Sequence, residues 1–218
     1  MANNLTILEH KLFETDFFLD KIKESKKSID TKRHAEYYFS AFLSSSRSVT
    51  FVMQSAFSKL PGFTEWYATS QDILKKSELA RFFVEARNSS QKEGTTYFNI
   101  TRFYQGETSF YFSNDGEFKF APKDDMVVSS EQYFGLLLNI VSDFFKQFGD
   151  HVDPKKYYSM DKLKERGQTV KQLEYEVWGY DKWTSFGLSD EKVLDYITTW
   201  MYITNIDSLF EKYKCASS

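Results

Sequence analysis

The stretch that decides the fold is Thr31-Lys32-Arg33-His34-Ala35-Glu36-Tyr37-Tyr38-Phe39-Ser40-Ala41-Phe42-Leu43-Ser44-Ser45-Ser46-Arg47-Ser48-Val49-Thr50-Phe51-Val52-Met53-Gln54-Ser55-Ala56. Ala35, Tyr38, Phe39, Phe42, Val49, Val52, Met53 and Ala56 recur at three- and four-residue intervals, the signature of one buried face of a long helix. Ser44, Ser45, Ser46 and Ser48 interrupt the apolar run with small side chains that admit a close neighbouring helix. Pro61-Gly62 then ends the pattern.

Outward from this helix the same period returns on both sides. Before it, Leu8, Leu12, Phe18 and Ile22 share a face, Thr6 and Glu9 have capping-box spacing, and the polar stretch 21–30 closes the helix. After it, Thr69 with Asp72 marks another start, and Leu79, Phe82, Phe83 and Ala86 carry a face that ends at Gly94. Beyond Pro122, Ser129 with Gln132 has capping-box form. Phe134, Leu137, Leu138, Val141, Phe144 and Phe145 follow at helical spacing, and 150–154 interrupts them. Gly167 separates two short helical segments, 178–187 reads as a loop, and Ser189 caps a last helix through Val193, Ile197, Trp200 and Met201 towards Phe210.

Between residues 95 and 121 the period changes to two. Thr96, Phe98, Ile100, Arg102 and Tyr104 alternate with Tyr97, Asn99, Thr101 and Phe103. Gln105-Gly106-Glu107 is a turn, Phe110 to Phe112 a second strand, Asn114-Asp115-Gly116 a second turn, and Phe118 with Phe120 a third strand. The fold expected is therefore mainly α: a helical bundle with a small inserted three-stranded antiparallel β-meander. A single domain is expected over 1–218, with N-terminal helices over 1–94, the meander over 95–121 and C-terminal helices over 128–213.

Composition narrows the function classes. The 218 residues carry 28 Lys and Arg against 31 Asp and Glu, for a net charge of -3, which argues against a globally basic nucleic-acid binder. One Cys, 9 Gly and 3 Pro exclude a disulfide scaffold and a collagen-like chain. No apolar run approaches the 18 or so residues of a membrane span, and residues 1–10 lack the basic start and apolar run of a signal peptide. A cytoplasmic protein without a membrane partner is expected. Cys215 is then a tail thiol in a reducing compartment, and the Asn-x-Ser/Thr triplets at Asn4, Asn88 and Asn99 are chance matches.

The three histidines, His10, His34 and His151, have no metal-ligand spacing, so no metal or cofactor is expected. No Gly-rich phosphate loop and no Gly-x-Ser-x-Gly elbow is present. Asp124-Asp125 reads as a solvated turn, and Lys21, Lys23, Lys26, Lys27, Lys32 and Arg33 as a solvated corner between helices. Trp178, Tyr180 and Trp183, like the meander's Tyr97, Tyr104, Phe110 and Tyr111, read first as packing aromatics and second as a stacking surface.

One segment carries more: Phe82-Phe83-Val84-Glu85-Ala86-Arg87-Asn88-Ser89-Ser90-Gln91-Lys92-Glu93-Gly94. It resembles the Arg-Asn…His segment of HEPN domains, a superfamily of helical bundles. Arg87 and Asn88 match the first two positions of that motif, and the helix around Tyr37 to Leu43 is compatible with the bundle that precedes it. The resemblance implies a homodimer in which two motifs face one another. In active members it implies metal-independent RNA cleavage, the Arg stabilising the phosphorane and the His working as acid or base. Where the His belongs this chain has Lys92, Glu93 and Gly94. A lysine ammonium binds phosphate as a point charge but makes a poor general base. The resemblance therefore implies a non-catalytic binding or interaction module with an RNA or protein partner. The alternatives are an atypical ribonuclease in which Lys92 or His34 replaces the missing His, and a structural scaffold in which Arg87 and Asn88 only finish a helix.

Overall fold

The computed structural model describes residues 2–27, 32–93, 98, 100–113, 118–179, 187–201 and 205–214. Helix α1 (Ala2–Ser25) and helix α2 (Lys32–Phe57) form an antiparallel hairpin, the most extensive helix pair in the fold. Leu5, Leu8, Leu12, Leu19 and Ile22 of α1 are buried, and Asn4 Nδ2 donates to Ala56 O at 2.8 Å, tying the start of α1 to the end of α2. Burial of Leu5 carries α1 upstream of Thr6, so Thr6 and Glu9 lie inside the helix instead of capping it. The serines of α2 do not break it. The hydroxyls of Ser45, Ser46 and Ser48 donate back to Phe42, Leu43 and Ser44 carbonyls of their own helix at 3.1, 3.2 and 2.8 Å.

The Pro61-Gly62 break is present, with Gly62 at φ 78°. Helix α3 (Phe63–Lys76) follows it directly. Thr69 and Asp72 are thus mid-helix, because Phe63 and Tyr67 are buried on the same face and pull the first turn in. Ser77, extended at φ -77° and ψ 116°, separates α3 from helix α4 (Glu78–Glu93), and its Oγ accepts from Ala80 N at 3.2 Å. Ser40 of α2 and Ser90 of α4 stand 3.0 Å apart, while Phe42 and Phe83 stack edge-on at 6.0 Å, so α2 and α4 run antiparallel.

Strands β1 (Ile100–Tyr104) and β2 (Glu107–Tyr111) pair antiparallel from Ile100↔Tyr111 to Tyr104↔Glu107. Gln105 and Gly106, at φ 51° and 84°, form the turn that a two-residue hairpin loop requires. Among the described residues the sheet has these two strands and not the expected three. Residues 114–117, the expected second turn, lie outside the described residues. Phe118 is instead buried beside Phe82, and Lys119-Phe120 make a turn. The reason is local. The outer edge of β2 is already satisfied: Thr108 N donates to Lys26 O at 2.7 Å, and Phe110 N to Asp125 Oδ2 at 3.1 Å. A third strand has no donors left there to pair with.

Asp125 is therefore not a solvated turn residue. It is the N-cap of helix α5 (Met126–Val152), accepting from Val127 N at 2.9 Å, and it faces Lys26 Nζ at 3.5 Å. Ser129 and Gln132 fall within α5, since this cap starts the helix a turn earlier. Phe134, Leu137, Leu138, Val141 and Phe144 of α5 are fully enclosed in the main core. Asp153, extended ahead of Pro154, ends the helix.

The remaining elements are shorter: α6 (Pro154–Tyr157), α7 (Met160–Glu165), α8 (Val170–Trp178), α9 (Asp190–Met201) and α10 (Ile206–Lys212). Gly167, at φ 63°, separates α7 from α8. Thr169 and Gln172 form a capping box, and Ser189 Oγ accepts from Lys192 N at 3.4 Å. Helices α7 to α9 enclose a second, smaller core, whereas α10 returns to the main one, so the single helix expected from Ser189 towards Phe210 is two helices, α10 starting afresh after the non-helical Asn205. The loop expected over 178–187 begins after Trp178; Tyr180 and Trp183 lie outside the described residues. Among the described residues no helix is long and apolar enough to cross a membrane.

Candidate functional site

Two regions of the bundle gather polar chemistry. The first is one end of it, where α1 finishes, α2 begins and α4 finishes. Arg87, Asn88 and Lys92 occupy the last two turns of α4. Arg87 is half-buried and donates from Nη1 to Asn88 Oδ1 at 3.2 Å, while its Nε, shut off from solvent, has no partner among the described residues. Asn88 and Lys92 are exposed. His34 is exposed near the start of α2, six residues before the Ser40 that meets Ser90. It thus sits at the same end as the Arg-Asn pair, but among the described residues it makes no hydrogen bond to Arg87 or Asn88.

The basic run is divided by its ion pairs. Lys21 pairs with Glu24, Lys23 with Glu131 at 2.9 Å and Asp20 at 3.3 Å, Lys26 with Asp125, and Lys32 with Glu36 at 3.9 Å. Among the described residues Lys27, Arg33, Arg87 and Lys92 have no such partner. The antiparallel α1–α2 and α2–α4 pairs place these four at one end, although Arg33 and Arg87 are 54 positions apart in sequence.

The second region is a cleft of about 280 Å³ bounded by α2, α3 and α4, with Tyr133 of α5 reaching in. Arg47 sits half-buried in its wall. Its Nη1 donates to Thr50 Oγ1 at 3.2 Å, and its guanidinium lies 4.4 Å from the Phe51 ring centre. Tyr67 donates to Thr50 O at 2.8 Å. Burial pushes the Tyr67 phenol above its usual range, against the nearby Arg47 charge. Burial likewise drives Tyr133 up to about 12, opposed by Arg47 and by a hydrogen bond with Ser46. Both phenols thus stay protonated as donors at neutral pH. Arg81 lies at the rim, 3.9 Å from the Phe120 ring centre. Asn88 is one turn beyond Val84 and Glu85, so it continues the α4 wall of the cleft towards the basic end.

A more open groove of about 560 Å³ lies between α1, α5 and α10, but its chemistry is already committed. Lys23 is paired with Glu131, and Lys212 with Asp16 and Asp20 at 2.8 and 2.7 Å. Among the described residues no three His, Cys, Asp or Glu side chains converge as a metal ion would need.

The sequence alone pointed to the Arg-Asn pair and not to the cleft. One signal was available. Arg47 stands in the middle of the most apolar N-terminal helix, and its helical neighbours three and four residues away are Leu43, Ser44, Thr50 and Phe51. None is a carboxylate, so nothing on its own helix neutralises it. The contributions of Tyr67 and Tyr133 depend on tertiary packing and had no local signal.

Residues 25–107 match the model of a protein family described as bacteriophage lambda protein ea47. The matched stretch holds α2 to α4, the Arg-Asn pair and most of the cleft. No curated protein and no solved structure matches the chain.

Proposed function

We propose that this chain is a cytoplasmic, HEPN-like helical module that binds RNA at the α4 end of the bundle without cleaving it, and that it works as a homodimer. The observation carrying this reading is the collection of Lys27, Arg33, Arg87 and Lys92, four cations without ion-pair partners among the described residues, at one end of a chain whose net charge is negative. Unpaired Lys and Arg side chains draw phosphate backbone by releasing counterions. The half-buried Arg87 adds a planar fork suited to phosphate. The non-catalytic part rests on chemistry: exposed Lys92 offers a point charge and no general base, and His34 is not hydrogen-bonded to the pair. A ribonuclease using His34 is the second reading, supported by its position at the same end of α2.

The test is a fluorescently labelled single-stranded RNA, incubated with the parent chain and with Arg87→Ala without added metal. Salt-dependent binding is expected, weakened about three- to tenfold by Arg87→Ala, with the RNA left intact. No binding even at about 50 mM salt removes the RNA reading. Metal-independent cleavage abolished by Arg87→Ala makes the chain a nuclease instead. Sedimentation at high protein concentration tests the dimer, and a strictly monomeric mass overturns it.

A further inference from the structure

We propose that the cleft between α2, α3 and α4 binds a small organic anion, a carboxylate or phosphate on a flat apolar body of one or two rings, with its charged head on Arg47. This goes beyond the RNA reading and uses a different part of the bundle. Three observations carry it. First, Arg47 is half-buried yet, among the described residues, has no carboxylate within ion-pair distance, and one hydrogen bond, to Thr50, accounts for one of its five N–H donors. A guanidinium held in a fold for structure alone is ordinarily matched by a carboxylate or several carbonyls. Second, the charge facing the cleft is unbalanced. Arg47, Lys75 and Arg81 face Glu85, and Lys75 is already met by Asp72 at 3.3 Å. Glu85 pairs with neither arginine among the described residues. Third, the walls between those charges are apolar. Phe51, Leu74 and Val84 flank the space, and the Tyr67 and Tyr133 side chains line its α3 and α5 sides. At about 280 Å³ the cleft is at the small end of ligand sites, which suits a compact ligand.

The head-and-body requirement makes the inference testable without knowing the natural ligand. 2-Naphthoate serves as the probe, with 2-naphthylmethanol as its neutral counterpart and inorganic phosphate as a head without a body. Titration calorimetry of the full chain is expected to give 2-naphthoate a Kd below about 1 mM, with both comparison compounds at least about tenfold weaker. Arg47→Gln is expected to cost about tenfold or more, through loss of a charge-assisted contact. Val84→Trp keeps every charge and fills the space, so it is expected to abolish binding, and it remains informative if Arg47→Gln does not fold. Arg87→Ala is expected to leave naphthoate binding unchanged, so failure of the RNA reading and failure of this one are separable. The inference is overturned if 2-naphthoate shows no binding at about 10 mM, if 2-naphthylmethanol binds equally well, or if Val84→Trp binds as the parent does. Binding by inorganic phosphate as tight as by naphthoate overturns the apolar-body requirement.

Discussion

The main core and the satellite core are built on different principles. The first is aromatic and deep. Phe39 alone packs against Phe42, Phe83, Phe98 and Phe112, with ring centres 5.6 to 6.4 Å apart, and Phe57, Phe63, Phe144 and Phe148 form a second aromatic group further along. The second, enclosed by α7 to α9, consists of Leu163, Val170, Leu173, Val193, Leu194 and Ile197. Trp178 packs half-buried against it, but other large aromatics of these short helices stay outside: Tyr175 is 62% exposed and Trp200 61%. The small unit leans on local devices instead, among them the Thr169–Gln172 capping box, the Ser159 N-cap and the left-handed Gly167 and Gly179. The difference teaches that burial holds the first region together at long range, while capping has a larger share in the second. The two should therefore open with different free energies. Both candidate sites are carried by helices that pack into the main core.

The strongest challenge to that contrast is Phe39→Ala. Removing the hub of the main core is expected to cost about 3–5 kcal/mol and to lower the global unfolding midpoint of the whole chain in denaturant. A cost below about 1 kcal/mol would mean the aromatic group is redundant. Next in size is Leu173→Ala, expected to cost about 2–4 kcal/mol. Its effect should be confined to faster amide exchange in α7, α8 and α9, with α2 and α5 keeping their protection. Equal acceleration in α2 would make the two cores one cooperative unit and end the comparison.

The smallest effect concerns the way α10 is held on α1. Lys212 reaches Asp16 and Asp20, and Tyr213 donates to Asp16 Oδ1 at 2.7 Å. Burial pushes Asp20 up, but the hydrogen bond and charge of Lys212, with help from Lys23, outweigh it and hold the carboxyl below its ordinary 3.8. Burial pushes Lys212 down, but Asp16 and Asp20 outweigh it and hold the ammonium above 10.5. The carboxylate contribution is thus complete above the unfolded Asp value near pH 3.9 and disappears as pH falls through the lowered folded value. The ammonium contribution is complete below about pH 10.4 and fades as pH rises past the raised folded value. Because Lys212 and Asp20 are partly open to solvent, which screens the pair, the loss in acid is expected to stay below about 1 kcal/mol. Amide exchange of α10, followed from pH 5 down to pH 3 and corrected for the intrinsic rate, checks it. Unchanged protection of α10 would show that Ile206, Leu209 and Phe210 hold the helix without the ion pairs.

Much of the architecture was legible because it is local. The α2 stripe appears as read, with Ala35, Phe39, Phe42, Val49 and Met53 all buried. So do the α5 stripe, the break at Pro61-Gly62, the Gln105-Gly106 turn and the Ser189 cap. The errors share a cause. Thr6, Thr69 and Ser129 were each a good cap by spacing, yet burial of an apolar residue or a stronger cap one turn upstream started the helix earlier. Phe118 and Phe120 alternate as a strand would, but pairing needs a partner edge, and Lys26 O and Asp125 had taken it. Tyr104, 74% exposed at the hairpin turn, is not the packing residue expected, whereas Phe110 is.

The sequence by itself determined that this is a mainly helical protein with a small antiparallel β insertion, although it read three strands where the structure has two among the described residues. Side-chain period and the φ demands of Pro and Gly act over a few residues and leave their mark in the order of the chain. It also singled out Arg87 and Asn88 as candidates, because they adjoin each other along the chain. Only the tertiary structure decided that Asp125 serves Lys26 after α1, β2 and α5 together. Packing likewise brought Arg33 to the same end as Arg87 and opened a cleft where Arg47 faces Tyr67 and Tyr133. These meetings depend on which helix faces are buried against which, a competition among long-range contacts that no stretch of local sequence records.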